Sequence, residues 1–369
     1  MKKLLIVIRW IVGLLFIFSG LIKANDPSGL SYKMQEFFEV WGWNNLNDYA
    51  LAFAIMMNIL EVTAGISVII GRRMKLFGWI LLILIIFFSF LTGYALFSGK
   101  IKTCGCFGDC LPLTPLQSFI KDIVLLVLIF LLFIKRKVIF PFVKPLLSDI
   151  IIIIGISGTI FLQAYVLRHL PIADCLPYKE GNSIIEKMKL PPDALQDSFA
   201  ITFKYKKNGK TVEFDANSFP PDFDSTYEYL DRYDKLIKKG NATVAISDFS
   251  LETLHGNDTT LAILNQPYYY VMLMAKDFSN AQKWNTREFK ELHKTMLQSH
   301  IPLFIVTADK EKAVELFGAD KRITILVCDG TVIKTAARIN PTYIIMKQGS
   351  IKAKYSYADI DKISRFLFQ

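Results

Sequence analysis

Five long apolar runs fill most of the first half of the chain, at 4–22, 51–70, 76–97, 116–134 and 150–167. About 20 apolar residues in a helix cross a bilayer core, so each run predicts a membrane span. Lys2 and Lys3 before the first run suggest a signal peptide. Arg9 and Trp10 interrupt that run, however, and no small-x-small cleavage site follows, so a retained helix is expected. Four spans with short connections predict an antiparallel bundle. The fifth follows a linker holding Pro141 and Pro145 and reads as an added tether.

Beyond residue 167 polar and charged residues return and the runs shorten. Residues 199–214 predict a hairpin, with Asn208-Gly209 supplying the tight turn. Helical spacing is read at 227–239 and strand character at 242–246. From 268 onward strands and helices alternate: strand 268–275, then a helix at 285–299 with Phe289, Leu292 and Met296 on one side. Strand 302–307, helix 310–317 and strand 323–327 follow. A hairpin at 341–347 and 350–355 turns through Gln348-Gly349, and helix 357–368 closes the chain.

Composition agrees with a membrane half and a soluble half. The mean hydropathy is +0.35, and 52% of residues are hydrophobic, above the globular norm. A formal charge of +10 raises the question of nucleic acid, but the basic residues are dispersed and form no patch, so no nucleic-acid partner is expected. Those in the first half sit between spans, where they set topology. One set of segments carries Lys2, Lys3, Arg72, Arg73, Lys75, Lys135, Arg136, Lys137 and Lys144; the opposite set carries Lys23, Lys33, Lys100 and Lys102. Arg168 opposes the trend. The bias predicts a cytoplasmic N-terminus and an exported C-terminal domain, which in a bacterium means inner membrane and periplasm. The expected divisions are a four-helix domain at 1–137, linker and fifth span at 138–167, a β-containing connecting region at 168–260 and an α/β domain at 261–369.

Three of the five cysteines lie within seven residues between spans three and four, at Cys104, Cys106 and Cys110, beside Gly105 and Gly108. In an oxidising compartment such a cluster reads first as thiol–disulfide chemistry. Cys110 is a resolving thiol or a partner for Cys104 or Cys106. A structural staple and a soft-metal site are the alternatives, the latter short of a fourth ligand, so no metal is expected. Cys175 reads as an unpaired thiol, with pairing to the loop cysteines as the alternative. Cys328, after an apolar strand, reads as buried and inert. The four histidines read as surface or loop residues. Ionisable residues inside spans are costly and informative: Arg9 and Lys121 are expected to snorkel, with Asp122 beside Lys121. Glu61, mid-span near Asn58, is expected to hold a buried hydrogen bond, face a quinone or handle protons.

The steps Phe-Ser-Gly-Leu-Ile-Lys and Asp-Pro-Ser-Gly in residues 9–29, Glu61-x-x-x-Gly65 and Cys104-Gly-Cys-Phe-Gly108 resemble the DoxX and MauE families over residues 1–137. The resemblance implies a four-helix membrane bundle that assists disulfide formation or electron transfer in exported proteins, with quinone as a candidate acceptor. The later elements resemble a thioredoxin-like domain, with Asn340, Pro341 and Thr342 where that fold places its cis-proline and a candidate peptide-binding edge. The region where an active thioredoxin carries Cys-x-x-Cys, 276–284, holds no cysteine. Such a fusion looks like DoxX-family proteins of Bacteroidetes. The chain therefore reads as a membrane redox protein acting on exported proteins, with the lipid bilayer and a separate thioredoxin-like protein as further partners. The alternative is a non-enzymatic, membrane-anchored binding or assembly factor.

Overall fold

The computed structural model describes residues 2–368 apart from 102–104, 193, 195–197, 208, 217, 239 and 241–243. Cys104, Asn208 and most of the strand expected at 242–246 lie outside the described residues; 244–246 form no strand.

Among the described residues, five helices are long and apolar enough to cross a membrane: α1 (Lys2–Asn25), α3 (Ala50–Ile70), α4 (Met74–Ser98), α5 (Pro115–Ile134) and α6 (Pro145–His169). The connection between the first two spans is not short. It contains a further helix, α2 (Pro27–Val40), which was not anticipated because its mixed composition lacks an apolar run. Asp26 caps α2 by accepting from the Gly29 amide at 2.8 Å, and Pro27 occupies its first turn, where a missing N–H costs nothing. Thr114 and Gln117 form a reciprocal capping box that fixes the start of α5.

α1 crosses α3 at close range. A Cβ on Gly65 would lie 2.7 Å from the Gly13 carbonyl and 3.0 Å from the Ile17 nitrogen, so only glycine permits the approach. Close backbone packing of this kind drives association of helices in lipid. Gly65→Val is expected to lower the unfolding midpoint in detergent by the equivalent of about 1–3 kcal/mol of overpacking. Thermal unfolding of the purified variant checks this.

The fifth span is not a free tether. Asn58 of α3 donates to Gln163 of α6 at 3.0 Å, and Arg72 pairs with Asp149 at 2.7 Å. The first bond joins buried polar groups that would otherwise be stranded in apolar surroundings, whereas the second lies at the partly exposed ends of the helices.

After α6 come α7 (Ile184–Lys187), β1 (Ser198–Lys207), β2 (Lys210–Asp215), β3 (Glu228–Lys238) and α8 (Thr260–Leu264). Next are β4 (Tyr270–Ala275), α9 (Arg287–Gln298), β5 (Leu303–Thr307), α10 (Lys310–Phe317), β6 (Thr324–Val327), α11 (Gly330–Ala336), β7 (Thr342–Lys347), β8 (Ser350–Ser356) and α12 (Ile360–Phe368). Among the described residues the strands form two sheets, β2-β1-β3 and β6-β5-β4-β7-β8. In the larger one β4, β5 and β6 run parallel while β7 and β8 are antiparallel. The Asn340–Pro341 bond that leads into β7 is cis. This is the expected thioredoxin-like order, with α11 as an additional short helix.

The helix expected at 227–239 is instead β3. Its apolar residues have helical spacing, but a lone β1–β2 hairpin is marginal and needs a third strand. β3 supplies it, with Tyr229 opposite Tyr205 and their rings 5.6 Å apart. The segment read as a connecting region divides. Strands within 198–238 make the small sheet, while Tyr178, Ile184, Ile246 and Leu251 pack into the core of the α/β domain.

Candidate functional site

Cys106 lies in a tight turn between α4 and α5, where the Gly108 amide donates to the Gly105 carbonyl at 3.0 Å. Gly105 and Gly108 both have left-handed φ, +66° and +56°, which glycine adopts without steric cost. Phe107 of this turn is buried, with its ring 5.7 Å from Phe18 of α1. That contact seats the loop on the mouth of the bundle.

Two ion pairs, one buried and one half-buried, lie beneath the loop. Glu61, the single acid of the second span, pairs with Lys23 from the last turn of α1. Lys23 is therefore not a loop charge; it is 3% exposed, and its ammonium sits 4.7 Å from the Phe88 ring centroid. The Ser19 hydroxyl is 3.0 Å from both the Glu61 carboxylate and the Cys106 carbonyl, and it can donate to either. Asp122, fully buried, pairs with Lys121 and lies 3.1 Å from the Thr92 hydroxyl. The Lys121 ammonium also sits 5.3 Å from the Phe107 ring centroid, so Lys121 turns inward and does not snorkel. Ser19, Glu61, Phe107, Lys121 and Asp122 share one cavity of about 20 Å³, room for about one water.

Arg9 does not snorkel either. It donates to the Val68 carbonyl at 2.9 Å and the Ile69 carbonyl at 2.6 Å, satisfying orphan carbonyls at the end of α3. Asn58 bonds to Gln163 and not to Glu61.

Cys106 is a free thiol. Burial pushes its pKa up, opposed by the Lys121 and Lys23 ammonium groups and a hydrogen bond with Ser118. A raised pKa leaves the neutral thiol in place at pH 7, and the thiolate is the nucleophile. Alkylation of Cys106 by a small maleimide is accordingly expected to be slow at pH 7 and to keep accelerating beyond the pH where an ordinary thiol levels off. Lys121→Met should slow it further. Mass mapping of labelled peptides across pH reads both effects.

Cys110 forms a disulfide with Cys175, with Cα atoms 4.8 Å apart. Cys175 is therefore not an unpaired thiol, and Cys110 is not joined to Cys104 or Cys106. Nothing in the local sequence distinguishes this pairing, since 65 residues separate the two positions. Cys328 matches its reading: it is 3% exposed, and burial, with the Asp329 carboxylate, pushes its thiol up to about 12.

The bridge joins the bundle to the α/β domain at one end, and polar contacts surround it. Arg338 reaches Asp26 at 2.8 Å and Asp109 at 2.6 Å. Asn25 accepts from the Ile172 and Ala173 amides and donates to the Ala173 carbonyl. Tyr32 of α2 has Lys276, Lys334 and Arg338 within 5.6–5.9 Å of its ring centroid. The candidate peptide-binding edge thus faces α2. Pro341 and Thr342 are buried. Asn340 bonds to the Lys276 amide at 3.1 Å and the Asp277 carbonyl at 2.9 Å, while Thr342 donates to the Ile339 carbonyl. Two histidines also depart from expectation. His169 pairs with Asp359 at 3.0 Å, and His293 is buried against Phe289.

Ser19, Lys23, Ser118 and Arg338 were not anticipated as site residues. One signal was available: Ser19 and Lys23 are four residues apart, hence on one helix face, toward the only acid of span two.

Residues 1–135 match the family described as Methylamine utilisation protein MauE, and residues 199–239, the small sheet, match a domain of unknown function, DUF8463. The chain is 24% identical over 219 residues to "Protein TlpB" of Flavobacterium psychrophilum, a match covering 56% of each. The chain thus spans little more than half the length of that relative. No solved structure matches significantly. The first 135 residues are thus similar to the MauE family, on a multi-pass membrane chain whose later part is an α/β domain.

Proposed function

We propose that the protein carries out thiol–disulfide chemistry on exported proteins at one membrane face, through the loop of Cys104, Cys106 and Cys110. The observation that carries this reading is the hydrogen-bonded line from the Cys106 carbonyl through Ser19 to the buried Lys23–Glu61 pair. Buried ion pairs are weak evidence for stability, and titratable groups held inside a membrane bundle under a cysteine suit proton transfer. Closing a Cys104–Cys106 disulfide releases two electrons and two protons. The Lys23–Glu61 and Lys121–Asp122 pairs beneath the loop are the candidate acceptors of those two protons. The charge bias of the connecting segments supports placing this face, and the α/β domain, outside the cytoplasm.

The electrons need a membrane acceptor. A cleft of about 330 Å³ opens between α2, α3 and α4, with Phe37, Phe38, Trp41, Met56 and Phe87 in its walls. Met34, Phe37, Met57 and Leu91 also wall a chamber of about 30 Å³ that contains Lys23, Thr92 and Cys106. Apolar walls with a polar inner end fit a flat ring on an isoprenoid tail. A lipid-soluble quinone, when bound, supplies a two-electron, two-proton acceptor. Met34 and Met57, flexible side chains, would have to move for contact with Cys106.

Thiol trapping in intact membranes tests the reading. Cys104, Cys106 and Cys110 should change alkylation state when the oxidant supply is altered, and an unchanged state sinks it. The second reading, a membrane-anchored assembly factor, is favoured by the absence of cysteine at 276–284. It predicts that a well-folded variant with all three loop cysteines replaced by serine keeps full function.

A further inference from the structure

The Cys110–Cys175 bridge invites reading as a staple, but its surroundings argue otherwise. Each of its cysteines directly follows an aspartate that holds a buried cation of the α/β domain. Asp109 takes Arg338 at 2.6 Å, and Asp174 takes Lys354 at 2.8 Å. Arg338 and Lys354 are 8% and 7% exposed. Asn25 ties residues 172–173 to the end of α1 by three further hydrogen bonds. The two cysteines are therefore held side by side by non-covalent contacts on both flanks. Because those contacts hold the two segments together, the pair can open and reclose without the domains parting. Preorganisation of this kind gives reclosure a high effective concentration.

Both cysteines are half-buried, and Cys175 lines a groove. This groove, of about 560 Å³, runs between α2, the cysteine loop and α11, walled by Tyr32, Lys33, Pro112, Cys175, Lys334 and Arg338. Cys175 lines it, whereas Cys110 belongs to the loop that carries Cys106, four residues earlier. Lys33 also walls the chamber that contains Gly105 and Cys106, so the groove and that chamber are neighbours.

We propose that Cys110–Cys175 is a shuttle disulfide, and that the groove takes an extended segment of an exported polypeptide carrying two thiols. This rests on the thiol–disulfide reading above. A substrate thiolate attacks Cys175, forming a substrate–Cys175 bond and releasing Cys110 as the thiolate. The second substrate thiolate attacks the substrate sulfur of that mixed disulfide, closing the substrate disulfide and releasing Cys175. Cys110 then attacks an oxidised Cys104–Cys106 pair, and Cys175 resolves the product. This restores Cys110–Cys175 and leaves Cys104 and Cys106 reduced, for a quinone-class acceptor to reoxidise. Two electrons pass inward at each exchange, and no atom is left over.

The test uses the full-length protein in proteoliposomes containing ubiquinone, with a synthetic peptide carrying two thiols. Samples are quenched with an alkylating reagent and mapped by mass spectrometry. Cys110 and Cys175 should become alkylated within the first turnover, with a transient peptide adduct on Cys175 and none on Cys110. With Cys106→Ser, both should stay reduced. The double variant Cys110→Ser/Cys175→Ser should oxidise the peptide at least tenfold more slowly at a temperature where it remains folded, its melting point being lowered by loss of the cross-link. Peptide oxidation while Cys110–Cys175 stays intact, or at an undiminished rate in the double variant, overturns the shuttle and leaves the thiol–disulfide reading standing. If neither the peptide nor Cys106 changes state, the underlying reading fails instead. Mapping the unaltered protein keeps the proposal open to refutation should the double variant not fold.

Discussion

Glu61→Ala should destabilise the bundle by about 3–5 kcal/mol, because it strands the Lys23 ammonium, which is 3% exposed, without its counter-charge. Removing one member of a buried pair costs more than removing both, since the lone charge keeps its full desolvation penalty. The double variant Lys23→Met/Glu61→Leu should therefore recover most of the loss. Unfolding in detergent reads the difference. If the pair serves proton transfer, the double variant will fold and still fail to reoxidise Cys106. That separation is informative because stability and turnover move in opposite directions. A double variant that turns over normally would make the pair purely structural. Equal losses in the single and double variants would show that the ion pair itself supplies the stability.

Arg338→Ala should loosen the α/β domain from the bundle. The guanidinium contacts Asp26, the cap of α2, and Asp109, beside Cys110. It is 8% exposed, so both bonds form largely out of water. Truncating one partner of such a pair costs about 2–5 kcal/mol. The low end, roughly 2 kcal/mol, is expected because the Asp109 side chain is 45% exposed and regains water. The bridge should then matter more: with Cys110–Cys175 reduced, the variant should be cut by protease near residues 170–176 much faster than the reduced parent. Equal cleavage of both reduced proteins would show that Asn25 and Lys354 hold the domains without help from Arg338.

The two kinds of feature differ in how far along the chain their causes reach. The five spans were legible because a bilayer demands about 20 apolar residues in sequence. Their observed bounds follow the apolar runs closely. The alternation of strands and helices after residue 268 was equally local, and so were the cysteine spacing and the missing Cys-x-x-Cys. α2 escaped notice because it has no apolar run, and β3 was misread because its apolar spacing suits a helix while its stability depends on β1 as a neighbour. Lys23 illustrates the limit best. At the end of an apolar run it counts as an interfacial charge, yet the glycine-mediated approach of α1 to α3 carries it to Glu61. Arg9 likewise finds the end of a different helix. The Cys110–Cys175 pair, 65 residues apart, depends on how α6 returns the chain to the end of α1 where the cysteine loop sits. The sequence by itself determined which segments enter the membrane, the α/β order beyond them and the residues able to do chemistry. Only the tertiary structure decided which charges meet, which cysteines join and which surface they share, because those partners are chosen by packing between distant segments.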